Sequence, residues 1–176
     1  RVEVRKNGKV YEQEYKEGIP TGPIRTVGTT DLQGTRTTFK PDATIFETTT
    51  FSFDHLAGRL RELSFLNKGI RIQLVDEVND KSVEFKADGG LLAFVEFLNR
   101  SKNAIHPKPI YVHTERDNCE VEVALQWNDG YTESVYSYVN NINTTEGGTH
   151  LTGFRSALTR VVNAASADDK GVASLK

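Results

Sequence analysis

Apolar and polar residues alternate from the start of the chain. Val2 and Val4 stand against Glu3 and Arg5, which predicts a strand over 2–6. Asn7-Gly8 follows; this pair accepts positive φ at both central positions of a tight hairpin, and 10–15 is expected to be the returning strand. Gly18, Pro20, Gly22 and Pro23 predict a loop, and a further strand is expected around Thr35–Lys40, stopped by Pro41-Asp42. The period then changes. Leu56, Leu60 and Leu63 recur at steps of four and three, predicting a helix over 53–67, capped by Ser52 and stopped by Gly69. Ile70, Ile72 and Leu74 alternate with Arg71 and Gln73, so a strand follows; Asn79-Asp80 turns it towards a partner containing Val83 and Phe85.

Gly89-Gly90 is the expected domain boundary, because adjacent glycines lower the cost of a change in direction. Beyond it, 91–99 reads as a short apolar helix, and Pro107 and Pro109 break the chain. Three strands are expected over 110–115, 121–127 and 131–139, with turns at Asp117-Asn118 and Asn128-Asp129-Gly130. Trp127 continues the alternation of Val121, Val123 and Leu125, which places it in the core. A loop with Gly147-Gly148 leads to a helix over about 150–165, striped by Leu151, Phe154, Leu158 and Val161. The tail from Ser166 is small and polar and is expected to be mobile. The pattern as a whole is α+β, in two parts.

Composition narrows the class. Apolar residues make up 37% of 176, enough for a packed core. The net charge of -2 is evenly spread, so the chain carries no basic field of its own for nucleic acid. One cysteine, Cys119, excludes an internal disulfide and fits a reducing, cytoplasmic compartment. No apolar run reaches membrane-spanning length, and no signal peptide is apparent. The chain opens at Arg1 and contains no methionine, so it is expected to be a piece of a longer protein.

Most chemical signatures are missing. There is no G-x-x-x-x-G-K-[ST], no G-x-G-x-x-G, no H-E-x-x-H and no paired cysteine motif, so no metal site is expected. His55, His106, His113 and His150 are scattered and read as surface or hydrogen-bonded histidines. Cys119 has acidic neighbours, Asp117 and Glu120, which disfavour a thiolate. Gly147-Gly148 before a helix start has two readings, an anion site of backbone N–H groups or a turn followed by Thr149 as N-cap.

Several segments together resemble one family. Arg59-Leu60-Arg61-Glu62-Leu63-Ser64-Phe65-Leu66-Asn67 is similar to a helix near the end of the nucleotide-binding domain in the bacterial gyrase B family. Ala124-Leu125-Gln126-Trp127-Asn128-Asp129-Gly130-Tyr131 resembles a hairpin of the transducer domain that follows. Asn140-Asn141-Ile142, with Gly147-Gly148-Thr149-His150-Leu151-Thr152-Gly153-Phe154-Arg155, resembles the loop and helix of that domain, and Ile105-His106-Pro107 fits as well. The matches keep the family's order over about 1–165. The sister family, the topoisomerase IV B subunit, shares most of them.

The resemblance implies that 1–90 closes a GHKL-type α/β-sandwich ATPase domain and that 91–165 forms a transducer similar to ribosomal protein S5 domain 2, leaving 166–176 unassigned. It implies ATP as the cofactor, with Mg2+ held by residues outside this chain, since the family's catalytic Glu and metal-binding Asn have no match here. It implies DNA and the gyrase A subunit as partners, ATP-driven dimerisation, strand passage with negative supercoiling, and aminocoumarin inhibitors. Gly34-Thr35 matches the family's Gly-Thr under the adenine, Thr37 is expected to line the same pocket, and Lys6 matches the basic residue at its rim. The family's Gln-Thr-Lys loop has no match, so the chain alone is expected not to hydrolyse ATP. Arg155 and Arg160 lie off the apolar stripe of their helix and are candidates for the DNA cavity. The rival reading is a non-catalytic α+β interaction module; a mismatch-repair or chaperone ATPase of the GHKL group is disfavoured by the 126–131 and 148–150 segments.

Overall fold

The computed structural model describes residues 1–168, which form two compact units, Arg1–Phe51 and Ser52 onwards. The tail predicted from Ser166 therefore falls, from residue 169, outside the described residues.

In the first unit β1 (Val2–Lys6) and β2 (Lys9–Gln13) form the expected hairpin, with Asn7 and Gly8 at φ 53° and 75°. Positive φ at both turn positions matches the right-handed twist of the strands. The stretch read as a loop contains a small hairpin, β3 (Tyr15–Lys16) with β4 (Ile19–Pro20), turned by Glu17 and Gly18 at positive φ. An unforeseen strand, β5 (Arg25–Thr29), pairs with β2. Its sequence, Arg-Thr-Val-Gly-Thr, carries a single large apolar residue and so no hydrophobic period. β6 spans only Gly34–Thr37, because its ladder to β1 ends opposite Val2. The sheet order is β5-β2-β1-β6. Its apolar cover is thin: Ile24, Leu32, Phe39, Ile45, Phe46 and Phe51 are all more than half exposed.

The second unit opens with α1 (Phe53–Leu66). The Ser52 hydroxyl accepts from the His55 N–H at 3.3 Å, and Asn67 closes the helix through bonds to the Leu63 carbonyl. The buried face of α1 is set by Ala57 and Ser64 rather than the leucines; small side chains let neighbouring elements approach, and the Ser64 hydroxyl donates to the Arg61 carbonyl at 2.7 Å. β7 (Arg71–Asp76) and β8 (Lys81–Lys86) form the expected hairpin, followed by α2 (Gly90–Asn99). Phe94 of α2, 5% exposed, stacks on Phe65 at 5.1 Å and tilts against Tyr136 at 5.5 Å. Arg61 lies over the rings of Phe85 and Phe97 at 5.3 and 5.5 Å. This core joins α1 to α2 within the second unit. Two glycines permit a turn; they do not prevent the flanking apolar faces from packing together.

β9 (Ile110–Arg116) and β10 (Cys119–Leu125) form a seven-pair hairpin around Asp117-Asn118. Of the third strand expected over 131–139, only β11 (Tyr138–Val139) forms, paired with β12 (Ile142–Asn143). Residues 131–136 face no partner edge, and Tyr136 turns into the aromatic core instead. Trp127 is 44% exposed, against the core expectation, because β10 ends at Leu125. α3 (Thr149–Asp168) is longer than predicted. No helix among the described residues is long and apolar enough to cross a membrane.

Candidate functional site

Directly opposed residues in an antiparallel ladder point to the same face of the sheet. Val4 lies opposite both Tyr11 and Thr35, Val2 opposite Gln13 and Thr37, and Lys6 opposite Lys9. Lys6, Thr35 and Thr37 therefore share one face. Lys6 is the diagonal neighbour of Thr35, a separation of about 7–8 Å between backbones. On the opposite face the carboxylates of Glu3 and Glu12 are paired. Arg5 pairs with Glu3 at 2.6 Å, and Glu12, only 7% exposed, is held by Arg1 at 2.6 Å and Arg25 at 3.1 Å. The face with the threonines has no such network, and neither hydroxyl bonds to another group among the described residues. All four residues of β6 are exposed, and β6 is an edge strand. Gly34 begins it at φ 148°, with no atom within 4 Å of where a Cβ would stand, so it presents bare backbone. The result is a flat floor that offers hydroxyls able to donate and accept, with a cation at its end. Among the described residues no group of three or more His, Cys, Asp or Glu is placed to hold a metal ion.

Arg155 and Arg160 are not gathered on one face. Five residues in a helix separate them by about 140°. Arg155 is tied to Glu133 at 2.9 Å, while Arg160 is exposed and forms no salt bridge among the described residues. The apolar stripe of α3 is half-buried at Leu151, Phe154 and Leu158, but Val161 is 66% exposed. At the helix start the Gly147 N–H is taken by the Thr144 carbonyl at 2.8 Å, which makes the turn, but Thr149 is not the expected N-cap: it lies inside the helix, and the Gly148 carbonyl accepts from the Thr152 N–H.

What residue-by-residue reading missed is that the separate motifs touch in pairs. The Asn141 side-chain amide donates to Asn67 Oδ1 at 2.8 Å, and Arg59 donates to the Asn141 carbonyl at 3.3 Å, joining the α1 segment to the Asn140-Asn141 turn. Glu62 Oε2 accepts from Arg59 at 2.7 Å and from the Tyr138 hydroxyl at 3.1 Å. Partial burial, then the Glu62 charge and hydrogen bond, push the Tyr138 phenol far above its ordinary value. The Trp127 backbone N–H donates to His106 Nε2 at 3.0 Å, and the His106 carbonyl accepts from the Gln126 side-chain amide at 2.8 Å. Ile105-His106 is thereby pinned to Gln126-Trp127.

Comparison with known proteins settles the family. The family model described as DNA gyrase B matches residues 90–174. Over 93% of its length the chain is 54% identical to the DNA gyrase B protein of Myxococcus xanthus. The chain belongs to the DNA gyrase B family. It spans about a fifth of that Myxococcus xanthus gyrase B. The crystal structure of the B-subunit of the DNA gyrase from Myxococcus xanthus superposes on 97% of the chain with TM-score 0.83 and 26% identity, and the chain covers 50% of it. The 43K ATPase domain of Thermus thermophilus gyrase B, in complex with an aminocoumarin, superposes on 96% of the chain with TM-score 0.77 and 33% identity; the chain covers 48% of it. The mixed helix-and-sheet fold is thus that of the gyrase B ATPase region. The pairwise contacts of Asn67 with Asn141 and of His106 with Trp127 bring segments dispersed in sequence into two compact clusters.

Proposed function

We propose that this chain is the closing part of a GHKL nucleotide-binding domain, over 1–90, joined to an S5-like transducer over 91–165, in the B subunit of a type IIA topoisomerase that couples ATP to DNA strand passage. The observation that carries the reading is the likeness over 96% of the chain to a gyrase B ATPase domain. A family match beginning at residue 90 supports the inner boundary. The half-uncovered apolar side chains of the first unit support a sheet that further polypeptide covers.

In this reading Thr35 and Thr37 underlie the adenine, Gly34 lets the backbone approach it, and Lys6 stands at the rim, where an aminocoumarin would also bind. The open face with two unengaged hydroxyls fits a nucleotide base. It does not fit the phosphates or Mg2+, whose ligands would come from polypeptide outside these residues. When bound, ATP supplies the free energy that the complete protein uses for strand passage. The chain alone holds part of the base and performs no hydrolysis. DNA, the gyrase A subunit and a second copy of the gyrase B chain are the partners, in the cytoplasm.

The test is ATP binding to the complete protein by calorimetry. Thr35→Ala should weaken it by about 1–3 kcal/mol, the cost of leaving a buried polar group unpaired. Unchanged affinity removes Thr35 from the pocket.

A further inference from the structure

Two kinds of contact hold α1 in its unit. Apolar packing ties it to α2, β7 and β8. A small polar cluster ties it to the β11–β12 hairpin, across 74 to 82 residues of sequence. One carboxylate oxygen, Glu62 Oε2, serves both Arg59 and the Tyr138 hydroxyl. Arg59 also lies over the Tyr138 ring at 5.8 Å and reaches the Asn141 carbonyl. Asn141 sits in a turn with Asn140, both at positive φ (66° and 49°), so the hairpin has a fixed shape. Glu62 and Arg59 keep about a quarter and a third of their side-chain surface in solvent, so these bonds exchange with water more readily than core contacts separate.

The hairpin leads onward to α3. The Ser137 and Thr144 hydroxyls bond each other at 2.6 Å, the Thr144 N–H donates to the Ser137 carbonyl at 2.8 Å, and Thr144 Oγ1 meets His150 Nε2 at 3.3 Å in the first turn of α3. A continuous polar path therefore runs from α1 through the hairpin to the helix that carries Arg155 and Arg160.

We propose that Arg59, Glu62, Tyr138 and Asn141 form a positioning clasp through which the region preceding residue 90 sets the placement of the β11–β12 hairpin and, behind it, α3. The inference rests on the functional reading above and deepens it: the clasp passes the nucleotide state to the DNA-facing part without touching nucleotide or DNA. A polar cluster with few bonds suits this role, because breaking those bonds does not require the apolar core of the unit to separate.

The experiment uses the complete protein assembled with the gyrase A subunit. ATP hydrolysis is measured without and with saturating linear DNA for the unsubstituted protein, Tyr138→Phe, Glu62→Gln and the double variant, alongside thermal unfolding. Each single variant should lower the DNA stimulation of hydrolysis by about threefold while leaving the DNA-free rate unchanged, and the double variant should do no more than the larger single effect. Lower melting temperatures with an unchanged stimulation ratio would make the cluster merely structural and overturn the inference, as would additive losses in the double variant. An unsubstituted complex without ATPase activity would sink the functional reading, and the inference with it; that result is separable because no substitution is involved.

Discussion

Removing the ring of Phe94 tests the core on which both halves of the second unit depend. Phe94 is 5% exposed and contacts Phe65 at 5.1 Å and Tyr136 at 5.5 Å. Phe94→Ala deletes a buried aromatic side chain and leaves a cavity between α1 and α2, which costs about 3–5 kcal/mol. Phe94→Leu keeps most of the apolar volume but loses two ring–ring contacts, each worth about 0.5–1.5 kcal/mol, so a cost of about 1–3 kcal/mol is expected. Urea unfolding followed by far-UV circular dichroism, and by the fluorescence of Trp127, reads both. Trp127 is the only tryptophan and belongs to the same unit as Phe94. The ranking Ala worse than Leu worse than Phe is the expected result. A cost for Phe94→Ala below about 1 kcal/mol would falsify the claim that α1 and α2 share one core.

The Tyr138 phenol titrates higher folded than unfolded, so its contribution is fully present below the ordinary value of 10 and is lost as pH rises past it. Stability of the unsubstituted protein should therefore fall more steeply above pH 10 than that of Tyr138→Phe; parallel profiles would refute the burial argument. Gly90 stands at φ 60°, and an added Cβ would meet the Lys68 side chain at 2.1 Å. Lys68 can swing aside but the backbone cannot, so Gly90→Ala should cost about 1–2 kcal/mol in denaturant unfolding, and a neutral result would argue that the turn relaxes. Reversing the charge at Arg160, which has no salt bridge among the described residues, should lower DNA-stimulated ATP hydrolysis in the complete protein more than the same change at Arg155, whose charge Glu133 already balances. Equal losses would refute the balancing role of Glu133, and no loss at either would refute a DNA-facing role for α3.

Local physics made much of the fold legible in advance. The Asn7-Gly8 turn, the Ser52 cap, the β7–β8 and β9–β10 hairpins and α2 all follow from residues near one another in sequence, because turn conformation, capping and hydrophobic period are short-range properties. The family resemblance named Gly34, Thr35 and Lys6, and strand alternation added Thr37; the ladder places Thr35, Thr37 and Lys6 on one face of the sheet. What needed the tertiary structure was every matter of partners. β5 forms without a hydrophobic period because β2 offers it an edge, and 131–136, expected as a strand, stays outside any ladder because nothing offers it one. That Phe65 and Phe94 stack across Gly89-Gly90 is likewise invisible in the local pattern. Asn67 and Asn141 are separate signals in the chain and one contact in space. A sequence specifies what each residue offers, whereas which offers are taken depends on contacts between residues far apart along the backbone, and those exist only once the chain has closed on itself.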